Sequence, residues 1–161
     1  MLIVGGGCRG RQFARELTAA GHAVRITTRS EAGRAAIEAV GAECWVGTPD
    51  RLATLRGALD SVTLLFWALG CASGSEDELG ALYGPRLELF LTQAIDTTVR
   101  GFVYETRGSV SRELLAQGES TVRAMTERNV IPAAFLTADP GEAEGWVADA
   151  QEAVGALLGV G

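Results

Sequence analysis

Three glycines near the start of the chain have the spacing that lets a backbone approach a pyrophosphate. The apolar residues 2–4 run into the segment GGGCRG, in which Gly5, Gly7 and Gly10 form the pattern G-x-G-x-x-G. In such a motif the first glycine permits a tight turn, the second admits the phosphates and the third allows close packing of a helix on a strand. The N–H groups at the start of that helix, with the positive end of its dipole, would hold the phosphates. The motif predicts dinucleotide binding, and the alternative is a glycine turn with a purely structural role.

The segments around these glycines agree with the prediction. A helical pattern follows at residues 11–20, Gly21 ends it, and residues 23–28 form an alternating run. Strand, glycine-rich turn, helix and strand therefore occur in the order that a dinucleotide site requires.

The end of the second predicted strand bears on the choice of cofactor. An NAD-preferring site usually places Asp or Glu there to bind the ribose 2′-hydroxyl. This chain has Thr28-Arg29-Ser30 instead, and an arginine with two hydroxyls suits a 2′-phosphate, which takes bidentate, charge-assisted donors. Arg9, inside the glycine segment, is expected to add a second cation. We predict NADP(H) in preference to NAD(H), the alternative being that Arg29 is merely solvated.

Composition and charge exclude several classes of function. A net charge of −6 argues against nonspecific nucleic-acid binding and against an anionic membrane surface. The longest apolar stretch, residues 62–69, is too short to span a bilayer, and arginines interrupt the apolar start too early for a signal peptide. Three cysteines without metal-type spacing indicate reduced thiols, a cytoplasmic location and no metal site.

Strands and helices alternate along the whole chain. Residues 62–69 lack alternation, as in a central parallel strand covered on both faces. We predict an α/β fold: one domain over residues 1–161, with a doubly wound, parallel, six-stranded Rossmann-like sheet in the order 3-2-1-4-5-6 and helices on both faces. Ser30 is expected to cap the second helix, Thr48 and Pro49 to start the third, and Gly118 to interrupt or weaken the helix at residues 111–129. The predicted strands are residues 2–4, 23–28, 43–46, 62–69, 101–105 and 131–137.

The chain resembles the atypical and extended short-chain dehydrogenases. The resemblance rests on the glycine segment with Thr28-Arg29, on the turn Gly47-Thr48-Pro49-Asp50 and on residues 101–106, and it spans most of the chain. It implies that the turn after the third strand covers the adenine and that small residues ending the fourth strand lie beside the cofactor. Together with the motif, it makes the following residues the cofactor-binding candidates: Gly5, Gly7, Cys8, Arg9, Gly10, Thr28, Arg29, Ser30, Thr48, Pro49, Ala68, Leu69 and Gly70.

The departures from this family concern catalysis. Its active dehydrogenases use a Tyr-x-x-x-Lys pair, and all fourteen basic residues of this chain are arginines, so that pair is absent. Thr106 fits the family's Ser/Thr position and would polarise a carbonyl, with Tyr104 assisting, although a strand-end role for Thr106 is the simpler interpretation. The larger members also carry a C-terminal substrate-binding part, so a substrate site here would come from residues 70–83 and 106–111 or from a partner subunit.

Two cysteines suggest a further hypothesis. Cys8 lies at a helix N-terminus beside Arg9, an environment that lowers a thiol pKa, and Cys71 follows the neighbouring fourth strand. We expect the two to face one crevice and sense redox state, the alternative being two small hydrophobic side chains that fill space.

Three functions remain open at this point. The first is an NAD(P)-binding protein, with NADP(H) favoured, that acts as a nucleotide-responsive binding or regulatory protein with a small-molecule or protein partner. The second is an NADP-dependent oxidoreductase or isomerase of the atypical short-chain dehydrogenase type. The third is a domain that binds no nucleotide and only forms a homodimer.

Overall fold

Six parallel strands form the sheet of the computed structural model, which describes residues 1–159. They are β1 (Leu2–Gly5), β2 (Arg25–Thr28), β3 (Glu43–Val46), β4 (Leu64–Ala68), β5 (Gly101–Glu105) and β6 (Ala133–Leu136). Their order is β3-β2-β1-β4-β5-β6, which confirms the predicted topology. The strand order reverses between β1 and β4, so the crevice where such sheets bind ligands lies at the carboxyl ends of these two strands.

Helices cover both faces of the sheet. They are α1 (Gly7–Ala19), α2 (Arg34–Glu38), α3 (Glu76–Tyr83), α4 (Pro85–Ile95), α5 (Arg112–Arg128) and α6 (Ala143–Leu158), with 3₁₀ segments at Glu31–Gly33 and Leu52–Leu59. One buried cluster joins α1, α2 and α6 to one sheet face, and the other joins the segment Leu52–Leu59, α3, α4 and α5 to the opposite face. Of the helices within residues 1–159, none is long and apolar enough to cross a bilayer.

The apolar run at residues 62–69 is explained by the central position of β4. All five residues of β4 are buried, and successive side chains enter the two clusters alternately. Leu65 and Trp67 pack on the side of α4, whereas Phe66 stacks on Trp146 of α6 with ring centroids 5.7 Å apart. A strand that is covered on both faces has no polar side to alternate with.

Three local predictions were wrong. Ser30 makes no side-chain capping bond, and a 3₁₀ turn followed by a five-residue helix replaces the single second helix. Thr48 and Pro49 do not start a helix, because Thr54 Oγ1 accepts the N–H of Thr48 at 2.9 Å and holds a turn before the 3₁₀ segment begins. Helix α5 runs unbroken through Gly118, where a Cβ would lie 2.1 Å from the hydroxyl oxygen of Tyr104. That glycine permits close packing rather than interrupting the helix.

Candidate functional site

The glycine segment turns sharply between β1 and α1. Gly5, Gly6 and Gly7 all have positive φ angles, of 84°, 87° and 52°, which other residue types rarely adopt. The N–H of Gly6 donates to the carbonyl of Ala68 at 2.7 Å and joins the turn to the end of β4. A Cβ at Gly10 would lie 3.2 Å from the carbonyl oxygen of Gly5, so this glycine lets α1 pack closely on the strand end.

The N-terminus of α1 is open to a ligand. Its N-cap, Gly6, provides no side-chain capping bond. The first N–H groups of a helix have no partner within it, and within residues 1–159 no side-chain cap accepts a hydrogen bond from those of α1. Gly7 and Cys8, in the first turn, are exposed. This turn therefore offers the backbone donors and the positive dipole end that the motif predicts.

Six predicted cofactor-binding residues line one small pocket beside this turn. It has a volume of about 70 Å³ and lies at the carboxyl ends of β1, β2, β3 and β4. Its walls include the predicted residues Gly5, Thr28, Arg29, Thr48, Pro49 and Leu69, together with Thr27, Gly47, Asp50 and Leu82. The structure thus brings together predicted residues from four separate segments of the sequence. Ser30 is exposed next to Arg29, and Ala68 and Gly70 are buried on either side of Leu69.

Arg29 is the cation of this pocket. Its side chain is exposed, and among the described residues it forms no ion pair. The hydroxyl of Thr28 donates to the carbonyl of Ser30 at 3.2 Å and shapes the turn that carries the guanidinium. Thr28 and Arg29 of the predicted 2′-phosphate segment therefore line the pocket, and the exposed Ser30 follows them in the chain.

Arg9, which was expected to add a second cation, does not line this pocket. Its guanidinium turns toward β5, where Nη2 lies 3.2 Å from Oε1 of Glu105 and 3.4 Å from the sulfur of Cys71. Its carbon Cζ lies 5.3 Å from the ring centroid of Trp146. The carboxylate and the aromatic ring attract the guanidinium to a position between β4, β5 and α6.

Glu105 is the residue at this edge that sequence reasoning missed. Its side chain is 1% exposed, and three donors point at it: Arg9, the indole N–H of Trp146 at 2.8 Å, and the N–H of Gly70 at 2.7 Å. A buried carboxylate requires such partners. The sequence feature that could have identified it is an acidic residue at the end of the otherwise apolar strand β5. The carboxyl ends of β1, β4 and β5 lie at the same edge of the parallel sheet, so a residue there lies near the glycine turn.

The loops after β4 and β5 pack against each other at two glycines. A Cβ at Gly70 would lie 2.2 Å from the carbonyl oxygen of Arg107, and a Cβ at Gly108 would lie 1.8 Å from that of Gly70. The N–H of Val110 donates to Gly70 at 3.1 Å, and the hydroxyl of Tyr83 donates to the carbonyl of Leu69. The two loops expected to supply a substrate site thus hold each other and the end of β4 in place.

The predicted catalytic residues have structural partners. Tyr104 is fully buried, its hydroxyl donates to the carbonyl of Leu115 at 2.9 Å, and burial raises its pKa well above the ordinary value. A group in the core cannot reach a substrate at the strand ends, so we do not retain Tyr104 as a candidate. The hydroxyl of Thr106 donates to the carbonyl of Leu136 at 2.6 Å and ties β5 to β6.

The cysteines of the redox hypothesis lie beside different arginines. The sulfur of Cys8 accepts from Arg11 at 3.2 Å, whereas that of Cys71 accepts from Arg9. Cys8 lines a groove between α1 and α2 that does not include Cys71. All three cysteines are free thiols, and no disulfide joins Cys8 to Cys71 within residues 1–159.

Comparisons with known proteins identify similar folds. No family model and no curated protein sequence matches the chain. The structure of BdcA from E. coli has a TM-score of 0.72 at 17% identity, over 94% of this chain and 87% of that one. A short-chain dehydrogenase/reductase superfamily protein from Agrobacterium tumefaciens with bound NAD has a TM-score of 0.68 at 19% identity, over 83% and 47%. The Citrobacter sp. triphenylmethane reductase complexed with NADP(H) has a TM-score of 0.64 at 19% identity, over 84% and 47%.

These likenesses establish the fold. They confirm the expected Rossmann architecture, as it occurs in short-chain dehydrogenase structures. The chain spans about half the length of the Agrobacterium and Citrobacter proteins, and most of the length of BdcA.

Proposed function

We propose that the chain binds a nicotinamide dinucleotide at the carboxyl ends of β1, β2 and β4, with NADP(H) preferred over NAD(H). The observation that carries the proposal is the meeting of Gly5, Thr28, Arg29, Thr48 and Leu69 in one pocket beside the uncapped start of α1. Two similar folds, from Agrobacterium and Citrobacter, contain NAD and NADP(H) respectively. Their contents agree with this class of ligand.

Each part of the ligand has a place in the proposal. The pyrophosphate lies over the glycine turn, against the N–H groups of the first turn of α1. The adenosine lies against Thr48, Pro49 and Leu69, and its 2′-phosphate faces Arg29. Sites for small molecules usually exceed about 300 Å³, and this pocket is far smaller. The ligand therefore extends out of the pocket and across the open strand ends.

Within this proposal we assign the chain a binding or regulatory role in the cytoplasm. The oxidoreductase alternative has less support, because the hydroxyl of Thr106 is engaged with Leu136 and Tyr104 lies in the core. In the regulatory role, nucleotide binding alters the loops after β4 and β5, which lie next to the proposed site. Partner binding would then depend on the nucleotide.

Calorimetric titration with NADPH and NADH tests the proposal. We expect the parent protein to bind NADPH more tightly than NADH. The variant Arg29→Asp should lose at least about tenfold in NADPH affinity, because a carboxylate replaces the guanidinium and repels the 2′-phosphate. Arg56→Asp is the matched control, since Arg56 is also an exposed arginine and does not line the pocket.

The two parts of the proposal fail separately. Equal affinities of the parent for NADPH and NADH would refute the preference for NADP(H) and leave the dinucleotide site standing. Binding of neither coenzyme by a folded parent would refute the dinucleotide site itself.

A further inference from the structure

A second arginine forms a hydrogen bond with a residue of the pocket wall. Arg86 of α4 places Nη1 2.8 Å from Oδ1 of Asp50, which itself lines the pocket together with Arg29. Only Nη1 of this guanidinium has a hydrogen-bond partner among residues 1–159. An arginine carries five N–H donors, so Nε and Nη2 of Arg86 remain available to a ligand at the rim.

The position of Arg86 in its helix is not explained by helix stability. It is the second residue of α4, directly after Pro85. Positive charges are disfavoured in the first turn of a helix, because the dipole is positive there. Asp50, in direct contact with Arg86 at 2.8 Å, offsets that charge. The two side chains are 29% and 45% exposed, and such exposed pairs contribute about 0–1 kcal/mol.

Arg29 and Arg86 both act on a third group. The pKa of Glu78, in the first turn of α3, is lowered first by its hydrogen bonds with Ser75 and then by the positive charges of Arg86 and Arg29. The two guanidinium groups therefore lie within electrostatic range of one carboxylate. Arg29 directly follows β2, and Arg86 is carried by α4.

We infer that Arg86 is the second 2′-phosphate-binding residue of the pocket beside Arg29, and that its bond to Asp50 orients it from α4. The inference rests on the proposed binding of NADP(H). A phosphate monoester carries about −1.5 to −2 charges near pH 7, which one arginine does not neutralise, and Arg9 is bound to Glu105 elsewhere. Arg86 fills this role and can keep its bond to Asp50 while it donates to the phosphate.

The role of Asp50 follows from its charge. It orients Arg86 through one hydrogen bond, but its carboxylate also repels an incoming phosphate. Asn at this position keeps an oxygen acceptor of the same shape and removes the repulsion. The two partners of one ion pair should therefore have opposite effects on selectivity, which a merely structural ion pair would not produce.

The test compares NADPH and NADH affinities of the full chain and its variants by calorimetry. Arg86→Gln should weaken NADPH binding about tenfold, the loss of one hydrogen bond to a charged group, and change NADH binding less than about twofold. Asp50→Asn should raise the ratio of NADPH to NADH affinity. Arg128→Gln is the control. Arg128 lies in the last turn of α5, which leads into the amino end of β6, whereas the pocket lies at the carboxyl ends of the strands.

The outcomes separate this inference from the function on which it rests. If Arg29→Gln lowers the affinity ratio and Arg86→Gln does not, the NADP(H) site stands and the role of Arg86 is refuted. An equal loss of both coenzymes in Arg86→Gln would show a structural role and also refute it. If the parent binds neither coenzyme, or binds both equally, the proposed NADP(H) function fails and the inference falls with it. Thermal unfolding of each variant checks that the fold is intact.

Discussion

Replacing Glu105 by glutamine tests the buried cluster at the carboxyl edge of the sheet. The carboxylate accepts from Arg9 and Trp146 through Oε1 and from Gly70 through Oε2. Glutamine has a similar shape, but one of its two terminal groups is an NH₂ donor. In either amide orientation, at least one N–H donor faces another donor in a site that is 1% exposed.

The cost follows from these contacts. A buried donor left without a partner costs about 1–3 kcal/mol. The guanidinium of Arg9 also loses its opposite charge, and breaking a buried pair costs about 3–5 kcal/mol, but Arg9 is 20% exposed, so water reduces that penalty. We expect Glu105→Gln to lower the free energy of unfolding by about 2–4 kcal/mol.

Urea unfolding followed by circular dichroism measures this change. The matched control is Glu43→Gln, because Glu43 also pairs with an arginine, Arg25, at 2.8 Å, yet is 55% exposed. Removing a charge from an exposed pair should cost less than about 1 kcal/mol. Both variants lose one carboxylate, so their difference isolates the effect of burial.

One result would refute the reasoning about this cluster. If Glu105→Gln destabilised the protein no more than Glu43→Gln, the three donors around Glu105 would not depend on its charge. A double-mutant cycle with Arg9→Met gives a second measure. Residues in one hydrogen-bond network show coupling energies of about 0.5–3 kcal/mol, and a coupling of zero would argue against the pair.

Two further predictions concern the packing of the tyrosines. Gly118→Ala should lower the free energy of unfolding by about 1–3 kcal/mol, because its Cβ would collide with the hydroxyl of Tyr104. Gly80→Ala in α3 is the control: its Cβ would enter open space, so this variant should stabilise the protein by up to about 1 kcal/mol. Equal effects of the two substitutions in urea unfolding would contradict this prediction. Burial raises the pKa of both Tyr83 and Tyr104 above the ordinary 10.0, so their contribution to stability is complete below that pH and is lost as the pH rises through the raised folded values. Ultraviolet titration should then show both tyrosines ionising only with unfolding, and ionisation in the folded protein near pH 10 would be contrary to the prediction.

The buried central strand and the glycine turn could be predicted because both depend on local patterns. Residues 64–68 are apolar without alternation, which is typical of a strand that is covered on both faces. Gly5 and Gly7 adopt the positive φ angles that the motif requires. Such features depend on a few neighbouring residues, so their physical cause is visible in the sequence.

The local errors arose where a side chain outside the motif decided the backbone. Thr48 and Pro49 have the residue types of a helix start, but Thr54 takes the N–H of Thr48 and holds a turn. Glycine weakens helices, but at position 118 the helix continues, and glycine is required there because the hydroxyl of Tyr104 from β5 occupies the place of a Cβ. At both positions a specific tertiary or turn contact, rather than the helix propensity of the residue, explains the structure.

The partners of the charged side chains could not be predicted either, because they lie far away in the sequence. Arg9 was expected at the 2′-phosphate because it lies in the glycine segment, yet its partner, Glu105, lies 96 residues later. Arg86, 36 residues from Asp50, meets that carboxylate only because α4 packs close to the turn after β3. A long arginine side chain can point several ways from one backbone position, and the nearest carboxylate in space decides among them.

The sequence by itself predicted the alternation of strands and helices, the glycine turn after β1 and the pocket residues that follow β2 and β3, because periodicity and glycine spacing act along the chain. Only the tertiary structure decided which charges meet at the carboxyl edge: Arg9 with Glu105, and Arg86 with Asp50. Electrostatic attraction depends on distance in space, and that distance exists only once the sheet has brought remote strand ends together.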